Sequence, residues 1–181
     1  MDESRHNSKD AKLDARLDIK RVLDLKNAII NKCYKSRLDI NKSVMLITYL
    51  WSQVRSKDPN TKVGSSIYDY DSGALFLGYN GFPVGFPDKV SIWNNRNKDD
   101  KHNKYSYVVH AEQNNFIKAI NKFNPKTSKM FITNYPCHNC VKNVILPSKI
   151  KTVYYMDKYP YDEVSDEMLR KLRIKMINID L

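Results

Sequence analysis

The chain has 181 residues and a formal net charge of +11, and 41% of its residues are hydrophobic and 28% charged. This length suits one domain with a sizeable core and a short appended element, and the composition is ordinary for a globular protein. No apolar run approaches the roughly 20 residues that span a bilayer, no apolar signal core is present near residue 1, and three cysteines do not make a disulfide framework, so we expect a cytoplasmic protein with no membrane partner.

The first elements in chain order are helical. Residues 10–38 place apolar side chains three to five positions apart among charged residues, which predicts one or two amphipathic helices. Asn41 or Ser43 is a candidate cap for the next helix. Its predicted core stripe consists of Val44, Ile47, Leu50, Trp51 and Val54. We predict a helical extension over residues 1–41 and a single catalytic domain over residues 42–181.

A hairpin follows the helix. Residues 62–70 and 74–79 are predicted strands, and the turn between them is Asp71, Ser72 and Gly73. Residues 80–107 then form a glycine- and proline-containing polar stretch without an obvious element. A loop of this length in a compact domain is usually functional or mobile.

Helices and strands alternate over the rest of the chain. Helices are predicted over residues 108–122, 137–146 and 164–172, and strands over residues 129–133, 151–156 and 174–179. Such alternation predicts an α/β sandwich around a central sheet.

Two short runs, 27 positions apart, carry the chemistry. The first contains His110 and Glu112, and the second contains Pro136, Cys137 and Cys140. One imidazole, two thiolates and one unliganded carboxylate are the inventory of a catalytic zinc site whose fourth position is open for water. The same order of residues is the signature of zinc nucleobase deaminases. Cysteines three apart share one face of a helical turn, and a helix start lowers thiol pKa values, so we expect both to be thiolates.

The other cysteine and histidines have simpler interpretations. A C-x-x-C pair alone could equally be redox-active or half of a zinc ribbon, but no second pair is present. Cys33 is interpreted as an ordinary buried or partly buried thiol. His138 points away from the shared face of the two cysteines, and His6 and His102 are expected to be exposed.

Residues 55–64 and 78–83, joined with the two zinc runs, closely resemble deoxycytidylate deaminases. The resemblance covers about residues 44–180. It implies hydrolysis of dCMP to dUMP for thymidylate supply, a Zn2+ cofactor and a homo-oligomer from dimer to hexamer. It also implies a three-layer cytidine-deaminase-like α/β sandwich, in which helices flank a central five-stranded mixed sheet.

The resemblance also assigns roles to single residues. Glu112 would carry protons between water, the pyrimidine N3 and the departing ammonia. The backbone N–H of Ala111 would hold the pyrimidine carbonyl, Tyr135 would form an aromatic wall over the base, and Asn60 would contact the sugar or base. The candidates for the 5′-phosphate are Arg55, Lys57, Lys158 and Tyr159.

A regulatory site is implied by one more run. Gly78, Tyr79, Asn80 and Gly81 resemble the segment that binds an allosteric deoxynucleotide in regulated members, activating as dCTP and inhibiting as dTTP, and Mg2+ could accompany that triphosphate. Glycine lets a backbone approach phosphate oxygens closely. The alternative interpretation is a simple exit from the hairpin.

Two positions depart from the family pattern. Val109 stands where a cysteine is usual, which we interpret as neutral packing. Asn134 stands where an apolar residue is usual, which leaves open a polar contact near the base. Deamination of a different cytosine nucleotide, such as dCTP or a 5-substituted dCMP, therefore stays an alternative.

Two further functions compete with dCMP deamination. A tRNA or polynucleotide deaminase shares the zinc pattern, but the runs at 58–64 and 78–83 and the insert before His110 fit the nucleotide enzymes better. The positive charge is spread along the chain, with 11 basic and 7 acidic residues over positions 1–42, so we expect no nucleic acid partner. A decayed nucleotide-binding protein is disfavoured because all four catalytic side chains are present.

Overall fold

The computed structural model describes residues 20, 23–24, 26–27, 30–31, 37–158 and 161–181. The chain divides into two compact units, residues 1–39 and residues 40–181. In the first unit, the described residues between 20 and 31 are helical. Most of the helix predicted over residues 10–38, together with His6 and Cys33, lies outside the described residues. In the described part of the chain, every helix is too short or too polar to traverse a lipid bilayer.

Five strands form one mixed sheet in the second unit. The strands are β1 (Gly64–Asp69), β2 (Leu75–Tyr79), β3 (Ser128–Asn134), β4 (Thr152–Asp157) and β5 (Lys175–Asn178). Their spatial order is β2-β1-β3-β4-β5. The β1 strand is antiparallel to both β2 and β3, whereas β3, β4 and β5 run parallel. The predicted five-stranded mixed α/β fold is confirmed, and the predicted hairpin is its antiparallel edge.

Helices connect and flank these strands. They are α1 (Ile40–Arg55), α2 (Val90–Asn94), α3 (Lys104–Tyr107), α4 (Ala111–Ala119), α5 (His138–Cys140), α6 (Leu146–Ser148) and α7 (Glu163–Lys171). A π-helical turn, Val141–Ile145, joins α5 to α6. A π-turn inside a helix is frequent at functional sites. This one follows directly after the second cysteine of the zinc run.

The sheet separates two apolar cores because successive side chains of a strand point to opposite faces. Met130 and Ile132 of β3 are fully buried in the larger core, where they meet Val144 and Ile145 of the π-turn. Phe131 lies on the other face, in the smaller core with α1. The larger core therefore lies beneath the segment that carries the cysteines.

The buried face of α1 differs from the predicted stripe. Ile47 and Val54 are 43% and 63% exposed. The buried residues are Val44, Met45, Thr48 and Ser52. The physical reason is Gly64, where an added Cβ would lie 2.4 Å from the Thr48 carbonyl oxygen. Two small polar side chains let the helix approach this strand closely.

The start of α1 also differs from the prediction. The helix begins at Ile40, before both candidate caps, so Asn41 and Ser43 lie within it. Thr48 satisfies its buried hydroxyl by donating to the Val44 carbonyl at 2.8 Å, and it shares a 2.6 Å hydrogen bond with the Ser66 hydroxyl.

The insert over residues 80–107 is not structureless, contrary to the loop prediction. It contains α2 and α3 and has aromatic packing of its own. Phe82 stacks on Trp93 with ring centroids 3.9 Å apart, and Phe86 stacks on Tyr107 at 4.6 Å. The chain leaving the insert pairs with its own beginning through the Gly81 and Val109 bridge. The insert is a small closed loop that returns directly to His110.

Candidate active site

His110 and Glu112 occupy the beginning of α4. His110 is the extended residue just before the helix, and its backbone N–H donates to Gln113 Oε1 at 3.2 Å. Glu112 lies in the first helical turn and is 4% exposed. Ala111 is the first helical residue, so no bond within the helix uses its N–H. One turn of backbone thus presents an imidazole, a buried carboxylate and a helix N-terminus.

Cys137 and Cys140 flank a second helix start. Cys137 is the extended residue before α5, and Cys140 ends α5 and is 1% exposed. The N-terminus of α7 fixes this run, because the Ser165 hydroxyl donates to the Pro136 carbonyl at 2.6 Å. The cysteine positions are therefore set by backbone contacts and not by the thiols alone.

Asp162 provides a second anchor for the cysteine run. Its Oδ2 accepts from the His138 backbone N–H at 2.9 Å and lies 2.7 Å from His138 Nδ1. Its Oδ1 caps α7 by accepting from Ser165 N–H at 3.0 Å. As predicted, His138 does not join the group formed by the two cysteines; it pairs with α7.

Three potential ligand atoms converge between the two helix starts. His110 Nδ1 lies 3.6 Å from Cys137 Sγ and 3.3 Å from Cys140 Sγ. All three ligand atoms lie within 4.8 Å of one another. In a tetrahedral zinc site with bonds of 2.0 to 2.3 Å, neighbouring ligand atoms are about 3.3 to 3.8 Å apart. The group therefore fits a zinc ion in both donor chemistry and spacing.

The electrostatics of the group are strongly coupled. Hydrogen bonds from Cys140 and His110 lower the pKa of Cys137 to about 4. The pKa of Cys140 is raised by the hydrogen bond of its thiol to Cys137 and by its burial. Without a bound cation, a second negative charge beside the Cys137 thiolate is disfavoured, so the expectation of two thiolates applies to the metal-bound site. A bound cation would favour ionisation of Cys140 as well.

Glu112 is set up to hold a proton. Burial raises the pKa of its carboxyl group above the ordinary value, while the nearby His110 opposes that rise. The hydrogen bond to Cys137 raises the pKa of His110. A carboxyl group whose pKa is moved toward neutrality can both accept and release a proton near neutral pH.

Tyr135 immediately precedes the cysteine run and is 6% exposed. Its ring meets the Tyr155 ring edge to face, with centroids 5.0 Å apart. Its hydroxyl donates to Asp166 Oδ1 at 2.9 Å, and burial and this carboxylate raise the pKa of Tyr135. Two contacts fix the orientation of the ring that we expect to cover the base.

Asn60 is exposed in the turn after α1. Asp58 Oδ1 accepts hydrogen bonds from the backbone N–H groups of Asn60 at 2.9 Å and Thr61 at 3.2 Å. These bonds order the turn and leave the Asn60 side chain at the surface.

The three basic side chains that are candidates for binding the 5′-phosphate have different neighbours. Lys158 Nζ lies 6.0 Å from the Tyr135 ring centroid, whereas the Arg55 guanidinium lies 5.8 Å from the Tyr79 ring centroid. Lys57 forms an exposed ion pair with Asp88 at 2.8 Å. Tyr159 lies outside the described residues. Lys158 is thus placed with the predicted aromatic wall, and Arg55 with the predicted effector segment.

The effector segment packs against the start of α4. A Cβ on Gly78 would lie 2.5 Å from the Ala111 carbonyl oxygen, and Asn114 Nδ2 donates to the Tyr79 carbonyl at 2.8 Å. Close helix packing is therefore one reason for a glycine at position 78. Asn80 is buried, and its carboxamide bonds to residues 56–63. The effector role of this segment stays a prediction.

Sequence reasoning missed a buried ion pair beside the Asn60 turn. Lys104 Nζ lies 2.6 Å from Asp58 Oδ2, and the two side chains are 5% and 1% exposed. Asp58 had a sequence signal only as a member of the family-like run over residues 55–64. Lys104 had none, because its partner is 46 positions away.

Comparisons with known proteins agree with this geometry. The family model described as the cytidine and deoxycytidylate deaminase zinc-binding region matches residues 27–157. The probable deoxycytidylate deaminase of Caenorhabditis elegans is 38% identical over 122 residues, which are 67% of this chain and 58% of that protein. The deoxycytidylate deaminase of Homo sapiens is 38% identical over 116 residues, which are 64% of each chain. The chain thus matches somewhat less than two thirds of the length of these relatives.

A solved structure covers more of both chains. The dCMP deaminase from the cyanophage S-TIM5, in complex with dCMP and dUMP, superposes with a TM-score of 0.62 at 28% identity. The match covers 77% of this chain and 96% of that chain.

Proposed function

The chain belongs to the cytidine and deoxycytidylate deaminase family, and from that premise we propose that it hydrolyses dCMP to dUMP and ammonia. The observation that carries the proposal is the convergence of His110, Cys137 and Cys140 next to the buried carboxylate of Glu112. Relatives at 38% identity are named deoxycytidylate deaminases. The structural neighbour at 28% identity is a dCMP deaminase with dCMP and dUMP bound.

His110 Nδ1, Cys137 Sγ and Cys140 Sγ are the proposed zinc ligands. When bound, zinc supplies a Lewis acid that brings the pKa of a coordinated water to about 7. The extended backbone of His110 and Cys137, each just before a helix, aims their donor atoms into the same space. Three protein ligands are typical of catalytic zinc sites, in contrast to the four of structural sites.

Glu112 is the proposed proton carrier. It takes a proton from the attacking water and delivers it to N3 of the cytosine. It then takes the proton of the new C4 hydroxyl and delivers it to the C4 amino group, which leaves as ammonia while the C4 carbonyl forms. Burial supports this cycle, because it disfavours the charged carboxylate and so raises the pKa of Glu112. The α4 helix holds the carboxylate two residues from His110, beside the metal site.

The remaining residues bind and orient the nucleotide. Tyr135 covers the base with a ring that Asp166 and Tyr155 hold in place. The Ala111 N–H donates to the pyrimidine carbonyl, and Asn60 contacts the sugar or base. Lys158 is the better-placed candidate for the 5′-phosphate, because it lies near Tyr135. Tyr159 stays a candidate on the resemblance alone. We keep Arg55 and Lys57 as secondary candidates.

We also propose regulation and assembly. The segment from Gly78 to Gly81 lies against α4, so an effector triphosphate there, with Mg2+, would act on the catalytic helix directly. Homo-oligomerisation, a helical extension over residues 1–41 and a catalytic domain over residues 42–181 complete the proposal. A reducing cytoplasm would keep the cysteines available for zinc.

A substrate panel tests the proposal. Purified protein with measured zinc content is assayed for ammonia release from dCMP, dCTP, CMP, deoxycytidine and a 5-substituted dCMP, each with and without dCTP or dTTP. We expect one zinc per chain, the highest kcat/KM on dCMP and opposite responses to the two effectors.

Three other results would redirect the proposal. Preference for dCTP or the 5-substituted nucleotide would change the substrate. Activity on a tRNA added to the panel, with none on the five small substrates, would indicate a polynucleotide deaminase. Zinc binding without ammonia release from any substrate would indicate a decayed nucleotide-binding protein.

A further inference from the structure

The buried ion pair between Lys104 and Asp58 joins two distant segments. Lys104 lies in α3 of the insert, and Asp58 lies in the turn after α1. Removing two charges from water is expensive, and a buried pair is poor evidence for stability by itself. Such a pair does restrict the relative position of the two segments, because a short contact that excludes water tolerates little displacement.

Asp58 uses its two oxygens for different tasks. Oδ1 accepts from the N–H groups of Asn60 and Thr61 and shapes the Asn60 turn. Oδ2 accepts from Lys104 Nζ at 2.6 Å and from Asn80 Nδ2 at 3.3 Å. One carboxylate therefore links the shape of the turn to the position of the insert.

Asn80 closes the network from the end of β2. Its Oδ1 accepts from the Ser56 hydroxyl at 2.8 Å and from Val63 N–H at 2.9 Å. Its Nδ2 donates to the Thr61 carbonyl at 2.9 Å. The carboxamide thus holds the chain on both sides of Asn60.

Lys104 is fixed from its own side. Its backbone N–H donates to the Asn95 carbonyl, and its carbonyl accepts from Val108 N–H, both at 2.9 Å. Val109 then pairs with Gly81 before the chain reaches His110. The backbone that carries Lys104 is therefore the backbone that delivers His110, six residues later.

We propose that Lys104 is a positioning residue: acting through Asp58, it fixes the Asn60 turn relative to the His110 metal centre and so sets affinity for the nucleotide. The inference rests on the proposed deamination of dCMP, in which Asn60 is the proposed nucleotide-binding residue of the turn. Lys104 itself touches no reacting atom. Its loss should move substrate binding and leave the chemistry at Glu112 and the metal nearly unchanged.

A double-mutant cycle tests the inference. The zinc-loaded wild type, Lys104→Met, Asn60→Ala and the double variant are compared for kcat and KM on dCMP. We expect Lys104→Met to raise KM about 10-fold while kcat changes less than about threefold. If Lys104 acts through the Asn60 turn, adding Lys104→Met to Asn60→Ala raises KM by less than about threefold more.

Two further variants separate positioning from folding. Lys171→Met removes an exposed ion pair with Glu167 and should leave KM, kcat and zinc content unchanged. Lys104→Met leaves the Asp58 charge buried and unpaired, which can lower stability. The double variant Lys104→Met/Asp58→Asn removes that unpaired charge. The amide oxygen at position 58 still accepts from the Asn60 N–H, and the amide nitrogen gives up only the 3.3 Å bond from Asn80 Nδ2. It should fold, keep its zinc and still show a raised KM.

Each other outcome overturns a specific statement. Independent effects of Lys104→Met and Asn60→Ala on KM would mean that Lys104 does not act through the Asn60 turn. A lowered Tm with unchanged KM would mean that Lys104 only stabilises the fold. A KM restored to wild type in the neutral double variant would have the same meaning. A wild-type chain that neither binds nor deaminates dCMP would overturn the proposed function, and this inference with it.

Discussion

The two sides of the candidate active site are built differently. The metal side, which comprises His110, Glu112, Cys137 and Cys140, stands on helix starts above a core of fully buried aliphatic side chains. The proposed nucleotide side comprises the Asn60 turn and the insert over residues 80–107. Hydrogen bonds and a buried ion pair join these two segments, and aromatic stacking adds to the packing inside the insert.

This difference predicts different sensitivities. Apolar packing is distributed over many contacts, so one loss weakens the fold without redirecting a ligand. A buried polar network depends on each member, because an unpaired group retains its desolvation cost. Metal chemistry and nucleotide affinity should therefore be separable by mutation.

The largest expected effect is on the metal side. Glu112→Gln preserves shape but cannot carry the proton, so kcat should fall by about 10² to 10⁴ or more while zinc content stays at wild type. Rate measurement with parallel metal analysis checks this. The matched control is Glu163→Gln, an exposed carboxylate at the start of α7, which should not alter kcat. A Glu112→Gln enzyme with normal turnover would assign the proton transfer to another group.

The next effect concerns the core beneath the metal side. Ile132→Ala removes a fully buried side chain of β3 and should lower the free energy of unfolding by about 2 to 5 kcal/mol. Urea denaturation of the zinc-loaded protein measures the loss. KM for dCMP should not change in the molecules that remain folded. Ile117→Ala, at a 68% exposed position, should cost far less; equal losses would place the core elsewhere.

On the nucleotide side, deoxycytidine should be a much poorer substrate than dCMP. Loss of a charge-assisted phosphate contact costs about 1.5 to 3 kcal/mol, roughly 10- to 150-fold in kcat/KM. Lys158→Met should lower the ratio of kcat/KM on dCMP to kcat/KM on deoxycytidine more than Arg55→Met does. The reason is that Lys158 lies near Tyr135, whereas Arg55 lies near Tyr79. A larger effect of Arg55→Met would indicate that the phosphate binds near the effector segment. Equal kcat/KM values on dCMP and deoxycytidine would refute phosphate recognition.

The smallest effect tests a polar network away from the site. The Thr127 hydroxyl and nearby backbone N–H groups hold the pKa of Asp69 below its ordinary value. The unfolded chain then binds this proton first as pH falls, so the stabilisation is present above about pH 4 and is lost as pH drops through the folded pKa. Asp69→Asn should cost about 1 kcal/mol at pH 7.

Urea denaturation of wild type and Asp69→Asn at pH 7, 5, 4 and 3 checks this titration. The stability difference between the two proteins should shrink toward pH 3. A difference that does not vary with pH would mean that Asp69 acts by packing alone.

The metal side could be predicted from the sequence because its residues come in two short runs. The positions of Cys137 and Cys140 follow from one helical turn, and those of His110 and Glu112 from another. The sequence did not indicate the π-turn after Cys140. Val141, Val144 and Ile145 of that turn lie in the larger core, many of whose other members are distant in the chain.

The long-range contacts of the Asn60 turn and the buried face of α1 could not be predicted. The contacts of Asp58 with Asn80 and Lys104 span 22 and 46 positions, and no local pattern encodes them. On α1, hydrophobicity favoured Ile47 over Thr48. The structure buries Thr48 because its small side chain matches the bare backbone at Gly64, and a single-helix pattern contains no information about that partner.

Gly64 and Gly78 lie on the paired strands β1 and β2. The α1 helix packs against Gly64, and the α4 helix packs against Gly78. A Cβ at either position would collide with helix backbone, 2.4 Å from the Thr48 oxygen or 2.5 Å from the Ala111 oxygen. During evolution, replacing either glycine alone would displace a helix. At position 78, the displaced helix would be the one that follows His110. Homologues can therefore diverge widely along the outer surfaces of both helices, while these two sites drift only if strand and helix change together.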